Sequence, residues 1–206
     1  MKYAISSEFE SLIDAKRLEV LNRHSSSIYG LDSNLNISYL NPAWFDFAKD
    51  NGSDKFIEDK WSLGKSIFNC IPKVLEPFYT DIYETVLNEK ESTLIPRQLE
   101  YECSSPQLFR SFSMHLYSLG KGGIVVVNSL LVEQLHPSSL IEKQNIFDED
   151  HYVDQNKIVH QCANCRRIRR LGKLEQWDWV PKLTKEPHAN TSHGICPPCM
   201  QHYYLI

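Results

Sequence analysis

Apolar residues recur at helical spacing through residues 7–24, where Phe9, Leu12, Ile13, Val20 and Leu21 share a stripe interrupted by Lys16 and Arg17. This pattern predicts a leading helix. Two short apolar runs follow, 27–32 and 37–40, separated by the polar Ser33-Asn34-Leu35-Asn36, and together they predict a β-hairpin. Asn41 then offers a side-chain oxygen to the open N–H groups of a helix start and Pro42 fits its first turn, so 42–51 reads as a helix closing near Gly52. Three strand-like runs come next, 92–103, 109–119 and 123–133, the last carrying Ile124-Val125-Val126-Val127. Ser104-Ser105-Pro106 reads as the turn between the first two runs. Arg110, Phe112, Met114 and Leu116 alternate with Ser111, Ser113, His115 and Tyr117, which predicts one largely apolar face. Phe112, Met114 and Trp44 are read as core.

The order of these elements carries a resemblance. Gly30-Leu31-Asp32, followed by Ile37-Ser38-Tyr39-Leu40-Asn41-Pro42-Ala43-Trp44, resembles the opening of a PAS domain, a sensory α/β module. Leu63-Gly64-Lys65-Ser66-Ile67-Phe68 is similar to the short segment before the long helix of that family, which implies that residues 73–90 supply that helix. The resemblance covers 25–134 and implies an α+β fold: a five-stranded antiparallel sheet with flanking helices and a pocket between them. Residues 1–24 would form a helix that caps this module or packs on a second subunit. PAS modules hold haem, flavin, small organic ligands or nothing, and the fold does not choose among them. The flavin-dependent light sensors carry an Asn-Cys-Arg-Phe-Leu-Gln run soon after a glycine; here Gly64 is followed by Phe68-Asn69-Cys70-Ile71-Pro72, which disfavours flavin photochemistry. His115 is a candidate axial donor for haem but reads as an ordinary surface or hydrogen-bonded histidine. The ligand of such a pocket stays unknown, and Cys70 and Cys103 are read as small interior side chains.

Charge divides the chain. Residues 1–156 hold 14 Lys and Arg against 23 Asp and Glu, whereas 157–206 hold 8 against 3, so two modules of different chemistry are expected. Between them, 135–156 is rich in acidic and polar residues and reads as a linker. In the basic module, Cys162-Ala163-Asn164-Cys165 and Cys196-Pro197-Pro198-Cys199 are two Cys-x-x-Cys knuckles. Each brings two sulfurs to one side of a tight turn, and together they complete the tetrahedral site that Zn²⁺ prefers. A structural zinc on Cys162, Cys165, Cys196 and Cys199 is the expected cofactor, and 157–206 is the domain it stabilises. The gap between the knuckles is longer than the commonest double-knuckle spacing. Arg166, Arg167, Arg169 and Arg170 would compensate the charge of four thiolates, and His193 would be a supporting donor or an alternate ligand. Ile168, Trp177, Trp179, Val180 and Leu183 are the expected small core. Cys162–Arg169, the Trp-rich middle and Ser192-His193-Gly194-Ile195-Cys196-Pro197-Pro198-Cys199 resemble a C-terminal cysteine segment found after PAS or receiver domains in bacterial signalling proteins. Arg170-Leu171-Gly172-Lys173-Leu174 departs from that segment's more acidic turn.

The expected function is therefore a bacterial signal-sensing or regulatory protein acting through contacts with a signalling partner, with a homodimer through the leading helix as an alternative assembly. Alternatives are a thiol redox or iron–sulfur sensor using the same four cysteines, and a nucleic-acid-binding regulator. The latter is disfavoured by the net charge of −4. No phosphate-binding glycine loop or nucleophile elbow is visible, so no enzyme is expected. The absence of an apolar run of about 18 residues, and of an apolar core after Met1-Lys2, leads to the expectation of a cytoplasmic protein with no membrane partner.

Overall fold

The computed structural model describes residues 3–51, 60–89, 95–105, 107–120, 122–136 and 145–204. The chain opens with a short strand, β1 (Ala4–Ile5), and the expected leading helix is two helices, α1 (Ser7–Leu12) and α2 (Ala15–Arg23). The break has a local cause. Ile13 and Asp14 adopt extended backbone, and the Asp14 carboxylate accepts from the Arg17 N–H and so caps a new helix. Ser6 does the same for α1 through the Phe9 N–H.

The hairpin forms as β2 (Ser27–Leu31) and β3 (Ile37–Leu40), and α3 (Pro42–Asp50) follows directly. Its turn is built on the Asp32 carboxylate, which accepts from the N–H groups of Asn34 and Asn36 at 2.8 and 2.9 Å. Asn41 caps α3 as its position in the sequence indicates, and it does more. Its Oδ1 accepts from both Trp44 N and Ile28 N at 2.9 Å, while Nδ2 donates to the carbonyls of Leu21 and Ser26. A fully buried amide is thereby satisfied on both ends and ties α2, β2 and α3 together. The expected end of α3 at Gly52 lies outside the described residues.

After Gly64, in the left-handed region at φ +81°, and two 3₁₀ turns at Ile67–Asn69 and Lys73–Leu75, the long helix α4 runs over Glu76–Leu87. It buries Tyr79, Ile82, Tyr83 and Val86, one face at 3.6-residue spacing. Strands β4 (Arg97–Glu102), β5 (Leu108–Ser118) and β6 (Ile124–Leu135) then complete an antiparallel sheet in the order β1-β3-β2-β6-β5-β4. The described residues thus give six strands where five were expected. The addition is β1, whose two residues are too few to show a period. Residues 92–94 of the expected strand, and Pro106 of the expected turn, lie outside the described residues.

The chain divides into two compact units, Met1–Leu99 with Ser113–Ser129, and Glu100–Phe112 with Leu130–Ile206. The division falls within β4, β5 and β6 themselves. In the first unit, Phe9 stacks on Tyr39 with ring centroids 5.5 Å apart and planes 5° from parallel, over Ile28 and Val125. Gly30 makes this possible, because a Cβ there would run into the Phe9 ring. Elsewhere in that unit Tyr29, Trp44, Trp61, Phe68 and Tyr83 meet ring to ring, and the Tyr29 and Tyr83 hydroxyls are 2.9 Å apart. Aromatic side chains thus occupy the space between the hairpin and α4. Trp44 and Met114 are buried as expected, and in the second unit Phe112 is buried against Tyr101.

The second unit holds a short helix α5 (Glu149–Tyr152), strands β7 (Val159–Cys162), β8 (Ile168–Arg169) and β9 (Trp177–Asp178), helix α6 (Pro181–Lys185) and strand β10 (Thr191–Gly194). Its sheet has the order β10-β7-β8-β9. The core is Tyr152, Val159, Ile168, Val180 and Leu183, with Phe147 and Val153 packed on it. Three of these were expected. Phe147, Tyr152 and Val153 lie in the segment read as linker, of which 137–144 fall outside the described residues. Tyr152 donates its hydroxyl to Asp178 at 2.9 Å, and Asp178 also takes the Arg170 guanidinium at 3.0 Å.

Candidate metal centre

The first knuckle is the turn joining β7 to β8. Gln161 and Ile168 pair across it, the Cys162 N–H donates to the Arg167 carbonyl at 2.8 Å, and Arg166 takes the left-handed conformation at φ 62° that closes the turn. The second knuckle opens a helical turn, α7 (Pro197–Cys199), with Cys196 in extended backbone just before it. Pro197 and Pro198 have no N–H to leave unpaired at a helix start, and their fixed φ suits the turn. Between the knuckles lie β8, β9, α6 and β10, which accounts for the long gap.

What brings the knuckles together is the parallel pairing of β10 with β7. Gly194 stands opposite Cys162, and the Ala163 N–H reaches across to the Gly194 carbonyl at 2.8 Å. Both chains leave this ladder at the same end, so the two cysteine pairs meet just beyond it. All four sulfurs lie within 4.8 Å of one another, with Cys165 and Cys196 sulfurs 3.6 Å apart, and none of the four is more than 4% exposed. All four are free of disulfides. A single tetrahedral ion with bonds of about 2.3 Å would separate its sulfur ligands by about 3.8 Å. Among the described residues this is the group of His, Cys, Asp or Glu positioned to hold a metal ion.

As bare thiols, the four cannot ionise together. Hydrogen bonds from the Cys165, Cys196 and Cys199 thiols hold Cys162 far below the ordinary thiol range, and the same contacts with Cys162, aided by burial, push the other three far above it. A divalent cation removes that conflict, because each bound thiolate faces positive charge. Local donors already point at the sulfurs: the Cys196 N–H meets the Cys162 sulfur at 3.4 Å, and the Asn164 amide meets the Cys199 sulfur at 3.4 Å. Burial works against the Arg167 charge, yet the neighbouring Cys165 and Glu102 hold its guanidinium above its usual range. Burial raises the Glu102 carboxyl, and the Ser104 hydroxyl and Arg167 partly offset it.

The sequence-predicted ligands are thus brought together, and the expected neighbours sort themselves. Trp177 packs on the cysteines with Ile195 and Tyr203, whereas Ile168, Val180 and Leu183 build the separate core. His193 lies exposed on β10 and outside the sulfur cluster; His160 pairs with Asp154 at 3.1 Å and His202 rests against Tyr203. Of the basic run, Arg167 serves the centre and Arg170 is engaged by Asp178 and the Tyr152 ring. Two participants escaped the sequence reading. Asn164 looked like a spacer within the knuckle, although an amide that can both donate and accept was a signal, and Glu102, 60 residues upstream of Cys162, gave none. No protein-family model and no curated protein matches the chain.

Proposed function

We propose that the protein is a signal-sensing or regulatory protein in which a PAS-like module is joined to a structural zinc module, and that its output is contact with a signalling partner. The observation that carries this reading is the quartet of buried cysteine sulfurs within 4.8 Å of one another. Zinc suits it best. The four-sulfur donor set is the one that closed, structural zinc sites use, and the spacing fits one ion; an iron–sulfur cluster would need room among the thiolates for its own iron and sulfide atoms. Burial of all four sulfurs also speaks for a structural role, since reactive thiols are partly exposed. The PAS-like assignment rests on the element order and on a sheet in which β2, the first strand of the early hairpin, pairs with β6, the last of these strands in chain order. Association of two copies through the leading helices, a bacterial cytoplasmic setting and the absence of catalysis belong to the same proposal. Engagement of Arg167 and Arg170 within the module favours protein over nucleic acid as the partner.

Metal analysis with a visible spectrum, on protein purified without added metal, tests this. One zinc per chain and no absorption above the aromatic bands is the expected result. A coloured protein with iron and sulfide would replace the reading with that of a cluster sensor, and metal-free protein with an unchanged near-ultraviolet circular dichroism would remove the structural role.

A further inference from the structure

Among the described residues β4 is the last strand of the large sheet, and one of its edges has no strand partner among them. Along an edge strand, alternate N–H groups point away from the sheet and must be satisfied by something else. At the end of β4 the Cys103 N–H donates inward to the Arg110 carbonyl at 3.1 Å, so the preceding Glu102 N–H faces outward. It donates to Oδ1 of Asn164 at 3.3 Å. The Tyr204 hydroxyl donates to the same oxygen at 3.2 Å, and Nδ2 of Asn164 donates to the Cys199 sulfur at 3.4 Å. The amide orientation follows from these partners, because a backbone N–H can only donate and therefore requires the oxygen. Asn164 is buried, within the knuckle formed by two ligands, and its donor bonds a third.

We infer that Asn164 is the positioning residue through which metal occupancy controls the outer edge of β4. Its amide joins one ligand sulfur, one edge N–H of β4 and the Tyr204 hydroxyl. With an ion bound, the knuckle is fixed and the amide latches Glu102 and Tyr204; without it, the knuckle relaxes and both are released. In return, a fixed β4 end holds the amide against Cys199 and strengthens metal binding. Occupancy at one end of the bond network and strand order at the other are thus the same event. This inference rests on the metal-centre reading proposed above and goes beyond it by naming the side chain that couples the centre to the sheet.

The test uses the full-length protein and two substitutions, Asn164→Asp and Asn164→Ala, with zinc stoichiometry measured in each. Asn164→Asp keeps the acceptor for Glu102 and Tyr204 but sets a carboxylate oxygen against the Cys199 thiolate. Zinc affinity should fall about 10- to 100-fold, the range for losing a partner of a metal ligand, and the sulfur-to-metal charge-transfer band of the cobalt-substituted protein should shift. Asn164→Ala should add a second loss: hydrogen exchange at the Glu102 amide, slow in the zinc-loaded parent and fast after chelation, should stay fast even with zinc bound. Wild-type zinc affinity and an unshifted cobalt band in Asn164→Asp, or a Glu102 amide that stays protected in zinc-loaded Asn164→Ala, would overturn the inference while leaving the metal centre intact. A parent protein that binds neither zinc nor cobalt would overturn both.

Discussion

At the scale of single residues, two sites give sharp expectations. A methyl group at Gly30 would collide with the Phe9 ring and come within 2.9 Å of the Tyr39 Cβ. Both neighbours are packed core rather than loose side chains, so Gly30→Ala should cost about 1–3 kcal/mol in a urea titration. Tyr152 provides a pH signature. Burial, with the hydrogen bond to Asp178, raises its phenol to about 12. The folded state therefore holds this proton more tightly than an unfolded tyrosine near pH 10. Its contribution is complete below about pH 10 and lost as the pH climbs toward 12. Tyr152→Phe should be less stable than the parent at neutral pH, and the gap should narrow over that alkaline window when unfolding is followed by circular dichroism. A gap of constant size would remove Tyr152 as the source.

At the scale of elements, the leading segment is part of the first unit's core. Phe9 is fully buried, and Ile5, Ile13, Leu18 and Leu21 pack around the same cluster. Phe9→Ala should therefore destabilise the protein by about 3–5 kcal/mol, whether or not α1 and α2 also join two copies; an exposed Phe9 would cost almost nothing. Much of this layer was legible in the sequence, and for local reasons. Asn41-Pro42 carries its own capping chemistry and the hairpin residues 33–36 carry theirs, whereas the long helix was expected from the resemblance alone. What was hidden depended on partners distant in sequence. The break at Asp14 competes with a hydrophobic stripe that runs on past it, and β1 exists only because β3 pairs with it. Tyr152 reads as polar linker until Asp178 meets its hydroxyl. The four sulfurs were legible because two-residue spacing alone brings each pair together; the latch from Asn164 to Glu102 was not, since it spans 62 residues.

At the scale of the whole molecule, the two units draw on different sources of stability. Among the described residues the first has an extensive apolar and aromatic core, whereas the buried apolar residues of the second are Phe112, Trp179 and the cluster of Tyr152, Val159, Ile168, Val180 and Leu183, besides the four cysteines. An ion bound by four thiolates contributes on the order of 10–16 kcal/mol in small zinc peptides, enough to decide whether such a core folds. Chelation should therefore abolish the near-ultraviolet signal of Trp177 and Trp179 while the Phe9–Tyr39 core persists, and Cys162→Ser should act as chelation does. Cys70→Ser should leave metal content unchanged, because the Cys70 thiol bonds the Lys60 carbonyl and lies outside the cluster. The most direct measurement is X-ray absorption at the zinc edge of the purified protein. Four sulfur neighbours at about 2.3 Å are the result this account requires; a shell containing nitrogen or oxygen, or an edge belonging to iron, would contradict it.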